Sequence, residues 1–409
     1  LGDIGAFSLQ MGKTLTCGEG GCVTTNDEKL AEKAFSYHHI GRIPGRPFYE
    51  FHLVASNLRM TEWQGAIAYQ QTLRLPEQTE RREANAKYLE AGLRRIPGVD
   101  PLQRRPEVTR WGFYFYHFKF RSEQFEGLGA LGDELQRQDP VHPPYINLFP
   151  TYASVQQLGT PTYADHLERF LTTSRPLILS YDHYCLMAGG VDKPDFFENM
   201  ELIREAGLRH NVPTWNIIQA CSWTPEVRQP SETEMRWQVY TSLAYGFKGI
   251  LYFVYWSWNN DDYASAGIVD NTGKPGRLYP IVKQLNGEML ALGPTLLRCT
   301  STGVFHTGPI PTGARRLSRD AILHVPSEVP LVVGFLRDDA GAEYAFVVNR
   351  DHDRPVEFEA TLMRHVVGVT EVSAADGKDK PLEMVKNRIR LSLAAGDGKL
   401  LRLQTRFAY

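Results

Sequence analysis

The sequence predicts a mixed α/β chain in three successive parts. A short apolar strand, a lysine and a glycine-rich turn come first, followed by helical periodicity. From Tyr145 to about Leu292 strand-like and helix-like runs alternate, and after Leu297 the helical period gives way to short β-branched runs separated by Asp/Gly turns. These changes of pattern divide the chain at 1–125, 126–296 and 297–409.

The opening run, Ala6-Phe7-Ser8-Leu9-Gln10-Met11-Gly12-Lys13-Thr14-Leu15-Thr16-Cys17-Gly18-Glu19-Gly20-Gly21, displays Lys13 between an apolar strand and a tight turn. A lysine held in that way can act as an aldehyde-reactive amine, the chemistry of a Schiff-base enzyme. A surface charge beside an ordinary turn is the plainer reading of the same residues. The run resembles the cofactor-lysine segment of the DegT/DnrJ/StrS-type sugar aminotransferases, in which a serine, a lysine five residues later and a Gly-Glu-Gly-Gly turn recur in this order. The resemblance continues through Val23-Thr24-Thr25-Asn26-Asp27 and Ser56-Asn57-Leu58-Arg59-Met60-Thr61-Glu62-Trp63-Gln64-Gly65-Ala66, to about Phe120. It implies pyridoxal 5'-phosphate (PLP) as cofactor, with Lys13 as Schiff-base and proton-shuttling residue, Ser8 as a contact to the cofactor phosphate and Asn57 reaching that phosphate from the neighbouring subunit. Ser8 also fits a strand-end hydroxyl bonded to backbone, and Asn57 a turn residue. In the family a large preceding half supplies the aromatic residue stacked on the cofactor ring and the aspartate at the pyridine nitrogen. The sequence, starting just before the lysine strand, is expected to lack both.

Residues 61 to 96 read as two helices. Thr61 with Gln64 forms a capping box; Trp63, Ala66, Ile67 and Leu73 make one apolar stripe; Pro76 restarts the chain and Pro97-Gly98 closes it. Trp111 to Phe120 alternates aromatic and polar residues as a strand does.

In the middle part, strands are predicted at Tyr145–Phe149, Leu177–Asp182, Pro213–Gln219 and Ile250–Trp256. Helices are predicted near Tyr163–Leu171, Phe196–His210, Glu232–Tyr245 and Tyr279–Leu292. Ser231 with Glu234 caps the third helix and Gly246 stops it. Such alternation makes a parallel sheet whose strand C-termini are where active sites form. Those ends carry Tyr181-Asp182-His183-Tyr184, Gln219-Ala220-Cys221-Ser222-Trp223 and Tyr255-Trp256-Ser257-Trp258-Asn259-Asn260-Asp261-Asp262, and five of the seven tryptophans lie between Trp215 and Trp258. Aromatic faces beside carboxylates hold pyranose rings. Trp215 and Trp237 read as core residues, Trp256 and Trp258 as ligand contacts.

This part resembles the second half of a β-galactosidase-like glycoside hydrolase barrel, on Asn147-Leu148-Phe149-Pro150-Thr151-Tyr152-Ala153, Ser180-Tyr181-Asp182-His183-Tyr184, Leu243-Ala244-Tyr245-Gly246 with Lys248-Gly249, and Tyr255-Trp256. The resemblance implies a half (β/α) barrel without its first four strands, followed by an all-β sandwich. In such hydrolases the fourth strand brings the general acid and the seventh commonly a glutamate nucleophile; the corresponding strand here ends at Gln219. Hydrolysis needs two carboxyl groups about 5–10 Å apart. Asp182, Glu226 and Asp261 are the carboxylates on offer: Asp182 and Glu226 as catalytic groups, and Asp261 with His183, Tyr184, Trp256 and Trp258 as substrate contacts. Asp182 also fits a partner that holds His183, Glu226 a surface charge and Asp261 a turn residue.

After Leu297, the runs Leu331–Phe335, Tyr344–Val348, Val366–Val372 and Leu400–Leu403 read as an antiparallel sandwich.

The 409 residues, 42% hydrophobic and 22% charged, suffice for two or three buried cores. A net charge of −2 with dispersed basic residues argues against nucleic acid and anionic membranes as partners. Five cysteines with no Cys-x-x-Cys pair argue against a disulfide framework or zinc, His38, His39, His183 and His210 lack metal-ligand spacing, and a reducing, cytoplasmic location fits. The sequence therefore reads as a fusion of a truncated PLP-dependent sugar aminotransferase segment with a truncated glycoside-hydrolase-like domain. It is expected to take a sugar or nucleotide-sugar and to form homo-oligomers. The alternative is a non-catalytic carbohydrate-binding protein, or a gene-fragment fusion without activity.

Overall fold

The computed structural model describes residues 2–95, 99–120, 129, 132–133, 136–137, 140–141, 144–190, 192–257, 267–270 and 272–406. The chain forms two compact units, Leu1–Glu134 and Leu135–Tyr409.

In the first unit, β1 (Gly5–Ser8) and β2 (Gly21–Thr24) pair antiparallel, with Ser8 opposite Gly21 and Gly5 opposite Thr24. The long turn between them is closed by Leu9 N–H to the Gly20 carbonyl at 2.8 Å and Cys17 N–H to the Leu9 carbonyl at 3.0 Å. Gly18 and Gly20, at φ 95° and 142°, take conformations that side-chain-bearing residues avoid, which is why this turn is glycine-rich. Helix α1 (Glu28–His38) starts at Asp27, whose carboxylate accepts from the Lys29 and Leu30 amides.

Helix α2 (Glu62–Leu93) carries the expected Thr61–Gln64 capping box but runs unbroken through Pro76 for 32 residues, where the sequence predicts two helices. A proline removes one backbone bond and crowds the preceding turn, and a helix this long retains enough other bonds to absorb that local loss. The expected apolar stripe is on the surface: Trp63, Ile67 and Leu73 are 82%, 48% and 59% exposed. The predicted strand over Trp111–Phe120 is shorter, β4 (Phe118–Phe120) pairing with β3 (Val99–Pro101).

The second unit opens with a four-stranded parallel sheet in the order β5 (Asn147–Leu148), β6 (Leu179–Asp182), β7 (Thr214–Gln219), β8 (Gly249–Phe253). Between and after these strands come α3 (Tyr163–Ser174), α4 (Phe196–His210), α5 (Glu232–Ala244) and α6 (Tyr279–Leu296). The Ser231–Glu234 capping box forms as expected at the start of α5. Alternate strand residues Leu179, Tyr181, Asn216 and Ile218 are buried, while Trp215 and Ile217 on the opposite face are half-buried. The expected strand to Trp256 ends at Phe253.

The last segment builds two antiparallel sheets. The larger has the order β15 (Asp379–Pro381), β14 (Val366–Val372), β17 (Gly398–Thr405), β12 (Glu343–Asn349), β11 (Leu331–Asp338), β9 (Cys299–His306); the smaller is β10 (Leu323–His324), β13 (Val356–Leu362), β16 (Arg388–Leu393). Strict alternation in β13 and β16 sends Phe358, Ala360, Leu362, Ile389, Leu391 and Leu393 inward against Val333, Val347 and Leu401 of the larger sheet. The other face of the larger sheet packs on α5, where the Tyr240 and Phe346 rings lie 5.7 Å apart. A Cβ on Gly334 would fall 1.9 Å from the Ala244 carbonyl oxygen, so this approach requires glycine. One apolar core therefore runs from Leu148 to Leu400, joining the parallel sheet to the antiparallel one. No described helix is long and apolar enough to cross a membrane.

Candidate functional site

In the first unit, Ser8 ends β1 and Lys13 stands exposed in the turn that follows. The turn orders itself locally. Ser8 Oγ accepts from Gln10 N–H at 3.3 Å, and Gln10 Oε1 accepts from Gly12 N–H at 2.8 Å. The Lys13 ammonium lies 5.0 Å from the centroid of the Tyr114 ring and has no carboxylate within ion-pair distance among the described residues. Asn57 is exposed, bridged to His39, with its Oδ1 accepting from Arg59 N–H at 3.3 Å. Lys13 and Ser8 thus share one hairpin end, and no described contact joins Asn57 to them.

In the second unit, polar residues from the start of β5 and from β6 form a relay that ends at the last residue of β6. The Tyr145 hydroxyl meets Ser180 Oγ at 2.7 Å, Ser180 Oγ donates to Asn147 Oδ1 at 3.0 Å, and Asn147 Nδ2 donates to Asp182 Oδ1. Register explains the meeting, since Asn147 is the direct partner of Ser180 in the parallel ladder. Because Asn147 donates, Asp182 Oδ1 must accept, and a proton on this carboxyl belongs on Oδ2. Burial pushes the Asp182 carboxyl above its ordinary range, with Asn147 and the nearby His183 and Lys193 opposing.

The residues after Asp182 diverge. His183 is buried and its Nε2 lies 3.1 Å from Asp195 Oδ1, so Asp195 rather than Asp182 holds this ring. Asp195 also accepts from Thr151 Oγ1 at 2.6 Å. The His183 contact leads in holding the Asp195 carboxyl down to about 2. Tyr184 is half-buried in an aromatic trio, 4.8 Å from Trp223 and 5.0 Å from Phe253, with Trp223 and Phe253 5.4 Å apart. On the other side the Tyr152 ring lies 5.0 Å from His183 and carries the Lys193 ammonium 3.3 Å from its centroid. Burial pushes the Tyr152 phenol up to about 12 and lowers the Lys193 ammonium.

The remaining expected residues lie elsewhere. Glu226 is exposed in the loop before α5, and its carboxyl is lowered first by the Thr224 side chain. Trp256 is 46% exposed and bridged to Val269. Trp258 and Asp261 lie outside the described residues. Gln219, at the strand end where a nucleophile would stand, is fully buried and structural: its amide bonds Leu186 on both sides and the Arg228 carbonyl at 2.8 Å. Trp237 is core, as expected, and Trp215 is half-buried. Asn147, Tyr152 and Trp223 lie in runs the sequence singles out but are not assigned a site role there, and Lys193 and Asp195 are not singled out. The Lys193-Pro194-Asp195 run at the start of α4 is the available signal for two of them. No group of three or more described His, Cys, Asp or Glu residues could hold a metal ion.

Comparison with known proteins places the first part of the chain. Residues 1–167 match the model of the DegT/DnrJ/EryC1/StrS aminotransferase family. The L-glutamine:2-deoxy-scyllo-inosose aminotransferase of Micromonospora echinospora is 34% identical over 142 residues, covering 32% of this chain and 33% of that protein. The GDP-perosamine synthase of Caulobacter vibrioides is 33% identical over 183 residues, covering 40% and 48%. A solved family 30 subfamily 8 glycoside hydrolase, the xylanase Xyn30A of Clostridium acetobutylicum, aligns over 70% of this chain and 74% of its own at 9% identity and a TM-score of 0.31, too low to carry an assignment. Residues 1–167 are thus similar to the DegT/DnrJ/EryC1/StrS aminotransferases, and the chain spans between about a third and a half of the two relatives named.

Proposed function

We propose that the first unit is a PLP-capturing segment of a sugar aminotransferase in which Lys13 is the reactive amine, fused to a second unit that binds carbohydrate. The observation that supports the first part is the exposed Lys13 ammonium, unpaired by any described carboxylate, on the same hairpin end as Ser8. PLP fits that end in its chemistry. Lys13 offers the amine for the aldehyde and Ser8 Oγ a donor to the phosphate, while the Asn57 amide would reach that phosphate from a partner subunit. When bound, PLP supplies an electron sink for cleavage at an amino donor's α-carbon. Lys13 would be the residue that holds the cofactor and moves a proton at Nζ, and the Tyr114 ring, 5.0 Å from that nitrogen, would limit where it swings. The test is borohydride reduction of the chain with PLP, followed by peptide mass spectrometry. Stable addition at Lys13, absent in Lys13→Ala, supports the reading; labelling spread evenly over surface lysines overturns it.

A second reading concerns unit 2, a half barrel with its sandwich in this proposal. Asp182 is a half-buried carboxyl oriented by Asn147, near Tyr152 and Tyr184, and Tyr184 in turn packs on Trp223, a combination suited to sugar hydroxyls and a ring face. Binding rather than rapid hydrolysis is favoured. No described contact brings a second carboxyl to Asp182, and Asp195 is committed to His183 and Thr151. Titration with galactosides and related glycosides, followed by tryptophan fluorescence, tests this. A saturable change weakened in Asp182→Asn supports it; no change with any sugar refutes it.

A further inference from the structure

The loop that joins β6 to α4 carries His183, Lys193 and Asp195, and it is fastened by a residue far away in sequence. His352, in the loop after β12, places Nε2 3.2 Å from Asp192 Oδ2. Its Nδ1 lies 3.5 Å from Asp353 Oδ1 and 3.9 Å from Glu234 Oε1, and its ring packs edge-on to Trp237 at 5.5 Å. Arg228 completes the cluster. One guanidinium nitrogen lies 2.6 Å from Asp192 and 2.5 Å from Glu234, and another donates to the Met187 carbonyl at 2.7 Å. The same strip is zipped by bridges between Leu186 and Asp192 and between Met187 and Val227.

Both imidazole nitrogens face carboxylate oxygens. A neutral ring has one N–H and one lone pair, so in that form one nitrogen turns its lone pair toward an anion. Nδ1 makes no hydrogen bond, so the doubly protonated ring gains the Nε2 bond to Asp192 and, at Nδ1, charge attraction to Glu234 and Asp353. Charge counting agrees: with His352 protonated, two cations face Asp192 and Glu234, and with it neutral a half-buried cluster keeps a net negative charge. Of the other groups at hand, Asp353 is mostly exposed and adds to the negative side, while burial holds the Cys185 thiol well above its usual range and so uncharged.

We propose that His352 is a positioning residue whose protonated imidazolium clasps Asp192, and with it the strand-end loop carrying Lys193 and Asp195, onto the N-terminus of α5. The clasp makes the site loop responsive to pH in the weakly acidic to neutral range. The Asp192 hydrogen bond raises the imidazole above its ordinary value against the opposing effect of burial. For a group raised on folding, the contribution is complete below the unfolded value near 6.5 and is lost as pH rises through the folded value. The loop is therefore held in mildly acidic solution and loosened above neutrality. Its bearing on ligand rests on the sugar-binding reading of the Asp182 site, whereas the clasp itself does not.

The test uses the full chain. Histidine C–H resonances are followed from about pH 5 to about pH 8, with His352→Gln assigning the signal, and amide hydrogen exchange over 186–190 and 192–193 is compared at the two ends after correction for intrinsic rates. We expect His352 to titrate above the ordinary imidazole value. Loop protection should fall about tenfold from acid to neutral pH, and this fall should vanish in His352→Gln. Asp192→Asn, which retains the ring and the packing, should move the titration back toward the ordinary value. An ordinary or lowered His352 titration, pH-independent protection in the native chain, or an unchanged pH dependence in His352→Gln each overturns the proposal. If glycosides bind with the same affinity at both pH values, the positioning role falls. If no glycoside binds while His352 and the loop behave as expected, the sugar reading falls and the clasp stands.

Discussion

His183 Nε2 lies 3.1 Å from Asp195 Oδ1, tying the end of β6 to the residue that precedes α4. The imidazole is buried and the carboxylate also accepts from Thr151, so one pair fixes three chain segments at the rim of the Asp182 site. The Asp195 carboxyl is lowered to about 2, below its unfolded value near 4. A depressed carboxyl stabilises the fold above the unfolded value, and the contribution is lost as pH falls through the folded one. Acid unfolding should therefore show a component between about pH 4 and pH 2 that disappears in Asp195→Asn. Identical acid profiles for the two chains would show that the pair carries no linkage.

Gly249 opens β8 against the face of Trp215. An added Cβ would lie 2.5 Å from the ring, inside any real contact distance. Gly249→Ala should destabilise the second unit by about 1–3 kcal/mol, the usual cost of overpacking. Denaturant titration measures it. An unshifted midpoint would mean that the indole swings aside without loss.

Pro76 sits inside α2 and leaves the Thr72 carbonyl without its amide donor, while Thr72 Oγ1 donates back to the Ala68 carbonyl at 2.8 Å. Pro76→Ala restores the missing bond and relieves the ring crowding. The first unit should gain about 1–3 kcal/mol, given that an interior proline costs about 3 kcal/mol. Circular dichroism melting checks the sign, and a lower melting temperature would contradict this account.

Trp256 stands 46% exposed just beyond β8 and is bridged to Val269. If its face is part of the sugar platform, Trp256→Ala should weaken glycoside binding by about 0.5–1.5 kcal/mol, the worth of one aromatic contact. Turnover of aryl glycosides should be very slow, because losing a general acid or base removes about 10² to 10⁴ in rate. Fast turnover would show that a second carboxyl reaches Asp182 after all.

Much of the second unit is legible in the sequence because its signals are local. The sequence bounds α4 at Phe196–His210 and the helix spans those residues, since an amphipathic run between a Pro-Asp start and an Asn stop needs no distant information. The apolar runs that become β14 and β17 are likewise plain in the sequence. The break expected at Pro76 does not occur, because the cost of one proline is decided by the rest of the helix, and the apolar stripe of Trp63, Ile67 and Leu73 does not reveal that it is left on the surface.

The sequence by itself determined the order of elements, the turn that displays Lys13, and the strand end that carries Asp182, because backbone period and turn chemistry act over a few residues. Tertiary structure alone decided who holds whom. Asn147 reaches Asp182 across 35 positions, and His352 reaches Asp192 across 160. Those meetings depend on strand register and on how the antiparallel sheet seats on α5. Register and seating are set by the burial of a shared core, not by any residue's neighbours in the chain.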